Sequence, residues 1–335
     1  MKVFSSPDYN FIFNTETGFF ARWGKNKMDD PIFSPYGNEI LDIEITDICK
    51  GPGSIPCPFC YKANTPNNKS NMSFEMFKTI LDKMPKTLTQ IAIGADAQCT
   101  SNPDVWKMME YTRSLGIVPN ITVADIDDNT ALLIKKYCGA VAVSRYYNKN
   151  YCYNSIERLT KIGMKQVNIH IMISEETLDQ VYETFNDYIN KAPRLNGLNA
   201  IVLLSLKKKG RGKGFTPLSQ DKFNNVIDFA LDNNIPIGFD SCSCNKFLSS
   251  VKGHKDYELF KTISEPCEST CFSAYVNSKG DYFPCSFAEG QDEWVDGLNV
   301  VDCKNFVSDI WNNEKSVAFR NNLIKNDRNC PIFEV

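Results

Sequence analysis

From residue 39 to about residue 239 the chain alternates short apolar runs with stretches of helical periodicity. The run 39–46 places apolar and polar residues in near alternation, as a strand reads. After it, Ser73 stands at a helix N-cap position ahead of Phe74, Phe77, Ile80 and Leu81, which share one helical face. The same pairing recurs as a strand at 90–94 with a helix at 103–114, then 118–123 with 130–137, and 140–144 with 154–162. Two more follow, 167–173 with 176–189 and 200–206 with 222–232, and 235–239 supplies a possible seventh strand. Six βα units in succession predict a parallel sheet with helices outside it.

The flanking segments read differently. Residues 10–14 and 18–23 are aromatic runs on either side of Thr15-Glu16-Thr17-Gly18, a hairpin pattern that makes 1–38 an extended prelude. Beyond 239 the composition turns cysteine-rich, and 274–285 predicts a second hairpin turning at Ser278-Lys279-Gly280 and ending on Cys285. The expected organisation is therefore a prelude at 1–38, a core at 39–239 and an extension at 240–335.

Composition narrows the chemistry. A net charge of −3 gives no sign of a nucleic-acid partner, and no apolar run approaches the length of a membrane span. The first residues lack a signal-peptide core, so the thirteen cysteines point to metal binding or catalysis in a cytoplasmic setting rather than to disulfides. Three of them, Cys49, Cys57 and Cys60, fall within twelve residues on the loop leaving the first core strand. A strand's C-terminal end is where α/β architectures build active sites. A structural zinc site wants four protein ligands. Three thiolates can instead hold three irons of a [4Fe–4S] cluster and leave the fourth iron open. A three-thiolate zinc site completed by a distant ligand is the other reading.

This arrangement resembles the radical S-adenosylmethionine (radical SAM) enzymes, although their usual Cys-x3-Cys-x2-Cys spacing is four residues shorter in the first gap. The turn Gly51-Pro52-Gly53 offers the extra residues a way to fold back. The resemblance implies a partial (β/α)6 TIM-like barrel, a [4Fe–4S] cluster that binds SAM, and a 5′-deoxyadenosyl radical produced by one-electron cleavage. It places Phe59 beside the adenine. Gly94-Ala95-Asp96 stands where the family pairs with the SAM amino group, with the Asp96 carboxylate as its charged partner. Thr122, Ser144 and Arg145 would complete the SAM contacts from the third and fourth strands. Asn168 and His170 would line the barrel, His170 either as an interior imidazole or as a catalytic one. No catalytic side chain is assigned.

The extension resembles the SPASM/Twitch domains of the same enzymes, whose signature is Cys-x(9–15)-Gly-x4-Cys. Twelve residues lie between Cys267 and Gly280, and four between Gly280 and Cys285. The implied fold is α/β with a small cysteine-rich α+β extension holding one auxiliary [4Fe–4S] cluster, the shorter Twitch-like form. Its expected ligands are Cys242, Cys267, Cys285 and Cys330, with Cys271 as the alternative for the fourth place. The implied activity is hydrogen-atom abstraction from a peptide or protein, with flavodoxin or ferredoxin as electron donor. A nucleoside, sugar or cofactor precursor is the competing substrate class. A non-catalytic iron–sulfur or zinc protein is the competing kind of molecule. The loop 207–214, five cations among three glycines, reads chiefly as a solvated, mobile loop, with anion binding or a lid as the other possibilities.

Overall fold

The computed structural model describes residues 1–335. The prelude is a three-stranded antiparallel sheet of β1 (Lys2–Ser5), β2 (Asn10–Phe13) and β3 (Phe20–Trp23). The expected hairpin is β2–β3, with Phe13 opposite Phe20. β1, which the sequence reading leaves unassigned, joins β2 through the turn at Ser6-Pro7-Asp8 and pairs with it antiparallel, Lys2 opposite Phe13.

The core strands are β4 (Ile40–Glu44), β5 (Gln90–Gly94), β6 (Val118–Val123), β7 (Val141–Ser144), β8 (Val167–Ile173), β9 (Ala200–Ser205) and β10 (Ile237–Phe239). They pair in parallel and in chain order, leaving an open sheet whose first and last strands do not meet. Between them run α1 (Phe74–Lys83), α2 (Val105–Ser114), α3 (Asp128–Tyr137), α4 (Lys149–Lys161), α5 (Leu178–Ile189) and α6 (Gln220–Asp232). Ser73 caps α1 by accepting the Met76 N–H. α4 starts earlier than its apolar pattern suggests because Asn148 caps it, accepting the Asn150 N–H.

The sheet crosses the expected boundary near 239 without a break. After α7 (Cys244–Ser250) and α8 (Tyr257–Ile263), β11 (Ser273–Val276) pairs in parallel with β4. The hairpin partner β12 (Asp281–Phe283) and then β13 (Leu298–Asn299) extend the sheet outward. A short π-helical turn, Val307–Trp311, leads to α9 (Glu314–Lys325), and the buried Trp311 donates its indole N–H to the Ser34 carbonyl at 2.9 Å.

The two faces of the core sheet differ in chemistry. Leu41, Ile43, Ile91, Ile93, Ile121, Val143, Ile169, Ile171, Ile201 and Leu203 point towards the helices and are buried. The registers bring Asp42, Glu44, Gln90, Asn120, Thr122, Ser144, Asn168 and His170 onto the opposite face. Most of these keep partial exposure, and Thr122 is open. A parallel sheet packed on both sides would be apolar on both. This polar second face is the one that the helices leave uncovered.

Candidate active site

The three-thiol loop is closed at its base by bridges between Thr46 and Asn71 and between Ile48 and Thr65. Within it the Cys60 N–H reaches the Cys57 carbonyl at 3.4 Å, a tight turn that holds two thiols close. Residues 51–55 fold back through a 3₁₀ turn, which absorbs the long first gap. Gly51 is required there: its φ is +76°, and a Cβ would stand 1.9 Å from the Ile55 carbonyl oxygen. The Gly51 N–H donates to the Cys49 Sγ at 3.4 Å. The fold-back is tied to the next two strands, with Gln98 Nε2 donating to the Gly51 carbonyl at 2.8 Å and the Gly53 N–H to Asp125 at 3.1 Å.

Cys49, Cys57 and Cys60 are half-buried and act on one another. Burial first, then the neighbouring Cys60 and Cys49, push the Cys57 thiol up to about 12. A thiol crowded in this way by two others fits a site where bound iron supplies the positive charge. Phe59 stacks on Tyr146, ring centroids 5.6 Å apart, and meets Phe215 edge-on at 5.7 Å, making an aromatic wall beside the thiols.

The strand-end residues divide. Gly94 is exposed at the end of β5, and its carbonyl accepts the Ile45 N–H at 2.9 Å. Thr122 is open and Ser144 half-exposed on the polar face. Asp96 departs from expectation. Its carboxylate is buried and accepts the N–H groups of Thr100 and Ser101, each at 2.9 Å, and that of Gln98 at 3.3 Å. It organises its own turn. Arg145 departs too. One residue past Ser144, it points among the helices, fully buried, and pairs with Glu183 of α5. Strand alternation sends neighbours to opposite faces, so Ser144 and Arg145 cannot both line the cavity. His170 lies on the polar face, and burial lowers it to about 4, leaving a neutral imidazole at neutral pH.

The second thiol set assembles from four distant segments. Cys242 follows β10, Cys267 precedes β11, Cys285 follows β12 and Cys330 lies beyond α9. Cys242 is pushed well up, first by its hydrogen bond with Cys267 and then by burial. Burial raises Cys285 to about 12, with Cys242 and Cys330 adding to it. Cys330 Sγ accepts the Phe333 N–H at 3.4 Å. Cys271 shares a small apolar cluster with Cys267, Tyr9, Phe11 and Phe272, but the groups acting on its thiol are Arg328, Arg320, Glu265 and Glu268, none of them a cysteine. No three His, Cys, Asp or Glu side chains close on one point as the ligands of a single ion. A cubane spreads its thiolates one to an iron, and the donor set suits it.

Loop 207–214 is a clamp, which overturns its reading as a mobile surface segment. Arg211 Nε donates to the Cys57 carbonyl at 2.7 Å and its Nη2 to the Asn64 carbonyl at 3.1 Å. Lys209 Nζ caps the carbonyls of Ser286, Phe287 and Glu289, beside Cys285. Lys207 is buried against Asp240, two residues before Cys242. Arg211 and Lys209 are therefore spent on the backbones of the two thiol sites and Lys207 on Asp240, while Lys208 and Lys213 stay exposed. Only the fold brings those backbones to these cations.

A buried polar knot also escapes the sequence reading. Lys62 pairs with Glu44 and Glu289 and donates to the Tyr275 hydroxyl at 2.8 Å. It joins the first strand, the three-thiol loop and the C-terminal hairpin. Next to it the rings of Tyr61 and Phe287 lie 4.4 Å apart, each within two residues of a thiol. Its only sequence signal is a lysine two residues past Cys60.

Residues 267–331 match SPASM, described as an iron-sulfur cluster-binding domain. No curated protein matches the chain. Among solved structures, SuiB from Streptococcus suis bound to its precursor peptide SuiA superposes with a TM-score of 0.64 at 14% identity, covering 84% of this chain and 66% of that one. Coproporphyrinogen III oxidase (HemN) from Escherichia coli, a radical SAM enzyme, gives 0.42 at 12% identity, covering 60% of this chain and 54% of that one. The chain thus spans just under two thirds of the SuiB chain and about half of the HemN chain. No helix is long and apolar enough to cross a membrane.

Proposed function

We propose, with a SPASM iron–sulfur domain seated on a radical SAM fold as the premise, that this chain is a radical SAM oxidoreductase that modifies a peptide or protein. The observation that carries the reading is the set of three mutually acting thiols, Cys49, Cys57 and Cys60, held over the polar end of a parallel sheet with no fourth thiol in their loop. In this reading they hold a [4Fe–4S] cluster with one open iron. With SAM bound there, reduction supplies a 5′-deoxyadenosyl radical, and the remaining work is orientation and shielding.

The chain's own residues are suited to that work. Gly94 and Ala95 offer backbone at the cavity edge, and Thr122 and Ser144 offer hydroxyls on the same face. Phe59, backed by Tyr146 and Phe215, gives an apolar wall against which an adenine can lie. Asn168 and neutral His170 offer hydrogen bonds without adding charge. The C-terminal thiols would hold one auxiliary cluster closed to exchange. A cytoplasmic setting and a flavodoxin or ferredoxin donor suit such chemistry.

A peptide substrate is supported by the fold shared with SuiB, whose structure contains a precursor peptide. The test is anaerobic reconstitution followed by SAM and dithionite, with 5′-deoxyadenosine quantified. Short peptides encoded beside this chain are then added. The reading expects 5′-deoxyadenosine from the enzyme alone and a mass change in one peptide. No 5′-deoxyadenosine from fully loaded protein rejects the activity. Cleavage that turns over only with a nucleoside or sugar rejects the substrate class.

A further inference from the structure

Three cations, Lys207, Lys209 and Arg211, lie between the two thiol sites. Lys207 is the most enclosed of these cations, with its side chain 1% exposed. Its ammonium bonds to the Asp240 carboxylate and lies over the Phe287 ring, 4.9 Å from the centroid. Asp240 is two residues from Cys242, and Phe287 is two residues from Cys285. Phe287 in turn meets Phe333, three residues past Cys330, at 6.3 Å. Lys207 thus packs on side chains two residues from Cys242 and from Cys285, and the Cys242 and Cys330 thiols lie near enough to act on its charge.

The other half of the pair is fixed. The second carboxylate oxygen of Asp240 accepts from the Ser243 hydroxyl and, at 3.5 Å, from the Ser205 N–H. A buried ion pair by itself contributes little, since desolvating both charges offsets their attraction. It makes more sense facing a third charge. Four thiolates outweigh an oxidised cubane core, and reduction adds one more electron. Cluster potentials respond to nearby net charge and burial.

We infer that Lys207, ion-paired with Asp240, is the counter-cation of the C-terminal iron–sulfur cluster and sets its reduction potential. The inference rests on the reading that Cys242, Cys267, Cys285 and Cys330 hold that cluster. Lys207 is here a positioning and tuning residue and touches no substrate. A dipole of this kind has a sharp consequence. Removing its positive end disfavours the reduced cluster, and removing its negative end favours it.

The experiment uses the full chain, reconstituted anaerobically, with Cys49, Cys57 and Cys60 replaced by Ala so that a single cluster is observed. Redox titration followed by EPR gives the midpoint potential. Lys207→Met is expected to lower the equilibrium constant for one-electron reduction at least tenfold, a downward shift of about 59 mV or more. Lys207→Arg should restore it to within threefold, and Asp240→Asn should raise it. A pair that only braces the fold would move the unfolding midpoint and leave the potential alone. Unchanged potentials at full iron content, or shifts of the same sign in Lys207→Met and Asp240→Asn, would overturn the inference. If Lys207→Met fails to load iron, Asp240→Asn still decides by its sign. A triple-Ala background without iron or an EPR signal would reject the two-cluster reading itself, and the inference with it.

Discussion

Replacing Asp96 with Ala distinguishes a residue that holds SAM from one that holds the turn next to it. The structure shows the second. The carboxylate accepts two N–H groups at 2.9 Å and a third at 3.3 Å while buried itself. Hydrogen bonds to a charged acceptor contribute about 1.5–3 kcal/mol each. Thr100 is exposed and Ser101 half-exposed, so their freed N–H groups regain some water. Counting the two short bonds and allowing for that rehydration gives a loss of about 2–4 kcal/mol. That is a sizeable share of a total of about 5–15 kcal/mol. The assay is urea unfolding of the cluster-free protein by circular dichroism, beside SAM affinity of the reconstituted protein by calorimetry. Asp96→Asn keeps one acceptor oxygen and the side-chain shape, so it should recover about half of the stability. If Asp96→Ala unfolds at the wild-type urea concentration and yet binds SAM tenfold more weakly, the carboxylate is a direct partner of the ligand. The turn argument would then be wrong.

Three further outcomes follow from the same geometry. Wild-type protein should bind about eight irons, and the Cys49/Cys57/Cys60 triple-Ala variant about four with no 5′-deoxyadenosine formed; iron near four with tight zinc in the wild type would remove the auxiliary cluster. Gly210→Ala puts a methyl 2.4 Å from the Tyr61 carbonyl oxygen at a φ of +55°, so the clamp should lift and iron loading at the three-thiol loop should fall severalfold, while unchanged loading would show the clamp to be dispensable. His170 has its folded value lowered to about 4, so the unfolded chain binds the extra proton between pH 4 and 6.5. Its contribution is therefore complete above pH 6.5 and lost as pH falls towards 4, by up to about 3 kcal/mol. Raised Asp42, at about 6, works in the opposite sense over much of that window. The stability difference between wild type and His170→Gln should accordingly shrink from pH 7 to pH 4.5, and a constant difference would refute the burial argument.

The sequence alone determined what depends on neighbours along the chain. Strand alternation, helical periodicity and the Ser73 cap made six βα units legible, and a glycine at position 280 with Cys267 and Cys285 at fixed distances marked the C-terminal hairpin. The three-thiol loop was legible because all its ligands lie within one turn-rich segment. Tertiary structure decided whatever depends on which face or which distant segment a side chain meets. Arg145 was assigned to the cavity although the alternation beginning at Ser144 turns it among the helices. Asp96 sits where a charged partner was expected, but its own loop offers closer N–H donors. The cations of 207–214 read as solvated because most such runs are. The partners of Arg211 and Lys209 are carbonyls of residues 57–64 and 286–289, and a cation carries no mark in sequence of the distant backbone it will cap. That backbone is brought to it by β11 docking in parallel against β4, a pairing between strands more than two hundred residues apart.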